Sequence, residues 1–267
     1  MTASPLTSRR IPPLPRRWRG RYLVERNILG TKSFWPVLLS GFFEPVFYLL
    51  AIGVGIGQLV GDVHVGGIPV AYEAFVAPAM LAASAMNGAV FEATNMFFKL
   101  RYGKVYEAIL ATPVEPREVA SGEIAWTLAR GAMYSAAFLI VMAVMGLITS
   151  PLGLLAFPAA LLVGFAFGAL GTAAVTWMRT WQDLDLITLI IMPLFLFSAT
   201  FYPIDVYPDF IQVVTWVSPL YHGVVLIRGL TLGILEWTML INIGYLAALG
   251  AVGSMITARR VRQVLLK

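Results

Sequence analysis

The sequence contains no cysteine, two histidines and few charged residues. Without cysteine there is no disulfide, no thiolate metal site and no cysteine nucleophile. His64 and His222 lie far apart in the chain and read as surface polar residues, so no metal site is expected. The phosphate loop G-x-x-x-x-G-K-[ST] is missing, as are H-E-x-x-H and G-x-S-x-G. No catalytic constellation remains, and no nucleic-acid partner is expected. No apolar stretch carries the Asp/Glu/His chain of a proton-coupled carrier, and the two halves show no repeat. Basic residues from Arg9 to Lys32 precede the first long apolar stretch, and no small-residue cleavage site follows. That stretch reads as an uncleaved anchor.

What is present is oil. Hydrophobic residues make up 59% of the 267 and charged residues 12%, with mean hydropathy +0.80. Soluble domains carry roughly 25% charge, so the chain reads as an all-α, polytopic membrane protein. Six stretches supply the roughly 20 apolar residues of a transmembrane helix: 34–59, 74–98, 125–148, 152–178, 186–204 and 237–258. A seventh, 210–227, is uncharged as well. Lys and Arg favour cytoplasmic loops. Eight lie in the first 32 residues, and Lys99, Arg101, Lys104 and Arg117 lie between the second and third stretches. Arg179 follows the fourth, and Arg259, Arg260, Arg262 and Lys267 follow the sixth. Six spans put these clusters on one face, with both termini cytoplasmic. Seven would send the basic C-terminus outside. The division is therefore a tail and amphipathic helix over 1–33, a six-helix domain over 34–258 and a basic tail over 259–267.

Residues 201–223, "FYPIDVYPDFIQVVTWVSPLYHG", are too apolar for an ordinary loop and are broken by Pro203, Pro208 and Pro219. They read as an outer re-entrant or interfacial helical hairpin. Upstream of the first span, Trp18, Tyr22 and Leu29 share a helical face, with basic residues elsewhere. That is the pattern of an interfacial amphipathic helix. Glu44, Glu92 and Arg130 fall inside apolar stretches, where ionisable groups face a bundle interior or a cavity. Arg130 either pairs with Glu92 or Glu123, or snorkels to the headgroups as Glu92 does. Glu44 is the candidate polar group of a pathway or helix interface.

Between the second and third spans, "KLRYGKVYEAILATPVEPREVASGE" is water-compatible. On a helical wheel Val105, Tyr106, Ile109 and Leu110 form an apolar arc opposite Lys104, Glu107, Ala108 and Ala111. Thr112-Pro113 ends the helix. An apolar arc facing water could dock in a partner's groove or rest on the inner leaflet. The pattern leaves both open.

The stretch "YEAILATPVEPREVASGE", the first-span "FEPVFYLLAIGVGIG" and the outer "FSATFYPIDVYPDFIQVVTWVSPLYHGVVLIRGL" together resemble the ABC-2 class of ATP-binding-cassette transporter permeases. Within it the chain is similar to permeases exporting nodulation lipo-oligosaccharides and daunorubicin-type drugs. The resemblance implies a membrane subunit without its own nucleotide site, in a bacterial inner membrane. It implies a homodimer with two separate ATPase subunits that bind ATP and Mg, and the export of an amphiphile. It makes 102–112 the coupling helix, with Tyr102, Lys104, Val105, Tyr106, Glu107, Ile109, Leu110 and Thr112 at the ATPase. It makes the stretch near 16–27 the elbow helix, with Arg17, Trp18, Arg21, Tyr22 and Arg26. It makes 202–221 the outer hairpin, with Tyr202, Pro203, Asp205, Tyr207, Pro208, Trp216, Pro219 and Tyr221. Two other classes stand beside it: a carrier or channel with no ATPase partner, and an intramembrane enzyme or assembly factor.

Overall fold

A long apolar run in lipid must satisfy its own backbone, which a helix does. The computed structural model describes residues 18–31, 43–103 and 105–266, and they are mostly helical. In chain order the elements are α1 (Gly20–Thr31), α2 (Phe43–Val60), strands β1 (Asp62–Val65) and β2 (Ile68–Ala71), and α3 (Tyr72–Arg101). Then come the short α4 (Val105–Leu110), α5 (Pro116–Val144), α6 (Ala156–Val175) and α7 (Asp185–Leu196). Helices α8 (Asp209–Val217), α9 (Pro219–Leu232) and α10 (Thr238–Leu265) complete the chain.

Helix α3 is the axis of the bundle, buried along most of its length against α5, α6 and α9. Small residues set that spacing. A Cβ on Gly131 of α5 would stand 3.1 Å from the Ala85 carbonyl, and one on Gly253 of α10 would lie 2.8 Å from the Ala169 backbone. The main core gathers Phe75, Met80, Met86, Phe138, Val163, Leu220 and Ile227. A second core at the other end holds Leu23, Phe97, Tyr106, Val119 and Val261.

The two ends differ chemically. At one, Arg101 donates to the Met178 carbonyl, Lys99 pairs with Glu123 and Arg260 lies over Trp177. This is the basic end. At the other, the Tyr72 hydroxyl donates to the Phe201 carbonyl, and the amides of Thr149 and Ser150 donate to the Thr231 carbonyl.

The structure refines the expected spans. Among the described residues five helical segments are long and apolar enough to cross a membrane: α2, α3, α5, Pro151–Val175 and α10. The pair α8–α9, bent by 84°, makes six if counted as one span. The stretch 186–204 is not one helix. It is helical to Leu196, where the Phe197 amide bonds back to Pro193, and Ala199 then adopts φ +53. At 12 residues α7 is about 18 Å long. The outer hairpin also runs further than 221, because its second arm continues to Leu232. Residues 259–265, expected as a tail, are the last turns of α10. The loop after α2 is a two-stranded antiparallel hairpin whose turn residues, Gly66 and Gly67, have φ +58 and +81. Only glycine takes two successive positive φ values cheaply, and that turn suits the twist of the strands. Helix α2 carries a π-helical segment, Leu49–Ile56.

Candidate functional site

The basic end is organised around four charges from two helices. Glu92 and Lys99 lie seven residues apart on one face of α3, and Glu123 and Arg130 are likewise spaced on α5. Arg130 Nη1 donates to Glu92 Oε2 at 2.9 Å. Lys99 Nζ bridges Glu92 Oε1 at 3.2 Å and Glu123 Oε2 at 2.9 Å. Asn95 Nδ2 adds a bond to Glu92 at 3.1 Å, and Arg130 reaches the Tyr134 hydroxyl while stacking on Phe91. Glu92, Glu123 and Arg130 are buried. Two cations and two carboxylates cancel, which is what allows the cluster to sit inside the bundle. Arg130 and Glu92 thus pair inside the protein rather than snorkelling to the headgroups.

Helix α4 sits beside this cluster. Its apolar arc does not face water. Tyr106 is buried among Leu23, Phe97 and Val119, while Val105, Ile109 and Leu110 are half-buried. The arc is used to seat the helix on its own bundle. Glu107, Ala108, Ala111 and Thr112 are what remains exposed, with Tyr102 beside them packed edge-on to Phe97. The Thr112 hydroxyl closes the helix on the Ile109 carbonyl. Lys104 lies outside the described residues. Burial, then the negative charge of Glu123, pushes the Tyr106 phenol well above its ordinary value. The buried Tyr106 hydroxyl and Glu123 Oε1 are neighbours without a hydrogen bond within 3.5 Å.

Helix α1 clamps the same corner. Gly20 and Leu23 press against Gly122 of α5, and Trp18 Nε1 donates to Ser121 Oγ at 2.8 Å. The Arg19 amide donates to Glu118, and its guanidinium to the Pro113 carbonyl. Trp18, Tyr22 and Leu29 are exposed, Arg21 stacks on Tyr22, and Arg26 is half-buried. Arg17 lies outside the described residues. Helix α1 runs from Gly20, within the stretch near 16–27 that the resemblance implies, and Arg19 just before it is held by Glu118 and Pro113.

Glu44 is exposed on the rim of a groove of about 630 Å³ between α2, α3 and α7. Asn87, Thr94, Asp185 and Thr188 line it as well. The structure does not bring Glu44 to Glu92 or Arg130. At the opposite end α8 is lashed to the end of α7. Thr215 Oγ1 donates to the Phe197 carbonyl, the Tyr207 hydroxyl to Leu196, and Ser198 and Ser218 share a hydrogen bond of 2.6 Å. Pro208 starts α8, Pro219 starts α9, Pro203 precedes the short turn holding Asp205, and Tyr202 and Trp216 are exposed. Tyr221 is buried. His222, expected at the surface, is buried too. Its Nε2 meets the Trp216 carbonyl at 2.9 Å and its Nδ1 meets Asn242 at 2.7 Å, so it ties α9 to α8 and α10.

Sequence reasoning missed Lys99 as the bridging cation, because it was counted only as a loop charge. The i, i+7 spacing of Glu92–Lys99 and Glu123–Arg130 was the available signal.

Comparison with known proteins converges on one family. The ABC-2 type transporter model matches residues 20–232. Nodulation protein J of Rhizobium leguminosarum bv. viciae is 32% identical over 254 residues, covering 94% of this chain and 94% of the relative. Nodulation protein J of Sinorhizobium fredii is 33% identical over 214 residues, 79% of this chain and 78% of the relative. The inner membrane transport permease YadH of Escherichia coli is 24% identical over 211 residues, 74% and 77% of the two chains. With this extent of match, a helical membrane architecture and no phosphate loop, the chain belongs to the ABC-2 type transporter family as a multi-pass membrane permease.

Proposed function

We propose that this permease is the membrane half of an ATP-driven exporter that moves a lipid-linked or hydrophobic amphiphile outward across a bacterial inner membrane. The observation that carries the reading is α4. It is a short helix held on the bundle by a buried tyrosine, with a polar face left open beside a buried, neutral charge cluster. A chain without a phosphate loop must take its energy elsewhere, and α4, with Trp18 and with Tyr22 of α1, offers a surface for a separate ATPase. The clustering of Lys and Arg supports placing this end in the cytoplasm. Two copies of the permease with two ATPase subunits holding ATP and Mg complete the assembly. Motion of the ATPase enters through α4 and Tyr106 and reaches α5 at Glu123, a rigid-body route. The groove at Glu44 and Asp185 lies along the path. The similarity to Nodulation protein J supports a lipo-oligosaccharide over a small drug as cargo.

The test is co-purification with the ATPase, sought among neighbouring coding sequences that carry G-x-x-x-x-G-K-[ST]. Glu107→Arg and Ala111→Trp change only the exposed face and are expected to abolish capture with melting unchanged. Ile109→Asp is a poorer probe, since Ile109 helps seat the helix. If both exposed-face variants capture the ATPase and couple as the wild type does, α4 is not the docking element. Transport in ATP-free liposomes would favour a carrier instead.

A further inference from the structure

Arg228 is the one buried cation outside the four-charge cluster that no carboxylate answers among the described residues. It sits on α9 just before the last turn, 6% exposed. Its Nε donates to the Phe75 carbonyl at 3.1 Å and its Nη2 to the Ala199 carbonyl at 2.9 Å, and its plane lies over the Phe75 ring at 3.8 Å. Among the described residues Nη1 makes no hydrogen bond. The Ala199 carbonyl is held by a residue at φ +53, a conformation costly for alanine. The guanidinium is therefore fixed in orientation while carrying an unanswered charge. It lines a pocket of about 180 Å³ under the Gly66 turn, with His64 and Tyr221 on its walls and the exposed carboxylates of Asp205 and Glu236 also lining it. A second cavity, an apolar groove of about 690 Å³ between α6, α9 and α10, shares Glu236 and Met239 with the first.

We propose that these adjacent cavities together hold one resident bilayer phospholipid of the phosphoethanolamine type. Arg228 Nη1 takes the phosphate, Asp205 and Glu236 take the ammonium, and an acyl chain lies in the groove along Leu226, Leu230 and Leu240. A buried guanidinium with no carboxylate within ion-pair distance among the described residues has room for an oxyanion on its open nitrogen. The two carboxylates in the same pocket select against a headgroup that is purely anionic, so a zwitterion fits better. The apolar groove beside the pocket fixes the ligand as a lipid rather than free phosphate. The inference goes beyond the export reading and does not rest on it, since binding is measured without transport.

The full chain, delipidated in a neutral detergent, is titrated with dioleoyl phosphatidylethanolamine, dioleoyl phosphatidylglycerol and a glucosyl diacylglycerol, and adducts are counted by native mass spectrometry. One phosphatidylethanolamine per chain is expected, held more tightly than the other two lipids. Arg228→Gln weakens it by at least about tenfold, the scale of one charge-assisted bond. Val225→Phe fills the pocket without touching a charge and has the same effect, which covers the case in which Arg228→Gln fails to fold. Equal binding of the glucosyl lipid, or undiminished phosphatidylethanolamine binding in Val225→Phe, overturns the proposal. A bound lipid that turns over with ATP once the ATPase is present also overturns residency, and assigns the pocket to cargo.

Discussion

Replacing Arg130 with methionine removes one cation from a cluster that is neutral only as a set. Glu92 would keep Lys99 at 3.2 Å and Asn95 at 3.1 Å, but Lys99 must then serve both Glu92 and Glu123. One buried negative charge goes unanswered. Breaking a buried pair in this way costs about 3–5 kcal/mol. For a chain of this size, at roughly 2–4 °C per kcal/mol, the melting temperature falls by about 6–20 °C. Adding Glu92→Met restores neutrality, with Lys99 and Glu123 as the surviving pair. The double variant therefore recovers at least about 2 kcal/mol relative to the sum of the single changes. Tryptophan fluorescence in detergent, at one scan rate, follows both. A single variant melting within about 2 °C of wild type, or a double variant with additive losses, refutes the claim that charge balance holds α3 to α5.

Three further outcomes follow from the geometry. A Cβ at residue 122 would stand 2.9 Å from the Gly20 carbonyl, so Gly122→Val lifts α1 off α5 at about 1–3 kcal/mol, seen as faster tryptic cleavage at Arg21 and Arg26. Ser218→Ala removes the side-chain cap of α9 and its hydrogen bond with Ser198, which keeps the Leu194 carbonyl, costing about 1 kcal/mol and raising hydrogen exchange in α8. Because the Tyr106 phenol is raised, the folded state keeps its proton longer than the unfolded chain. Its stabilisation is complete below about pH 10 and declines as the pH rises past that value, and Tyr106→Phe removes this alkaline decline while leaving neutral-pH melting nearly unchanged.

The sequence made the helical membrane architecture legible because lipid permits so few alternatives. The paired ionisable residues were legible for the same reason, since Glu92 and Arg130 had to find something. Direction was not legible. The wheel separated Tyr106 and Ile109 from Glu107 and Ala108, yet periodicity says only that a helix has two faces, and the bundle claimed the apolar one. Helix length at 186–204 was misread because hydropathy continues through Phe201 while the backbone turns at Ala199. His222 reads from the sequence as a surface polar residue, yet α8, α9 and α10 close around it. The Gly66-Gly67 turn was available as a hairpin signal, but its strands are four residues each and their alternation is faint.

The short α7 carries a consequence for the membrane itself. None of its residues is buried, and Leu186, Leu189, Ile190 and Met192 face outward. An apolar rod of about 18 Å is shorter than a hydrocarbon layer of about 30 Å, and such a mismatch is met by thinning of the lipid, by flanking polar side chains or by association with another helix, at a fraction of a kcal/mol per Å. The same helix lines the groove of Glu44 and Asp185, so the expected outcome is that activity in liposomes changes with acyl-chain length, and an unchanged activity would show that α7 does not meet the lipid.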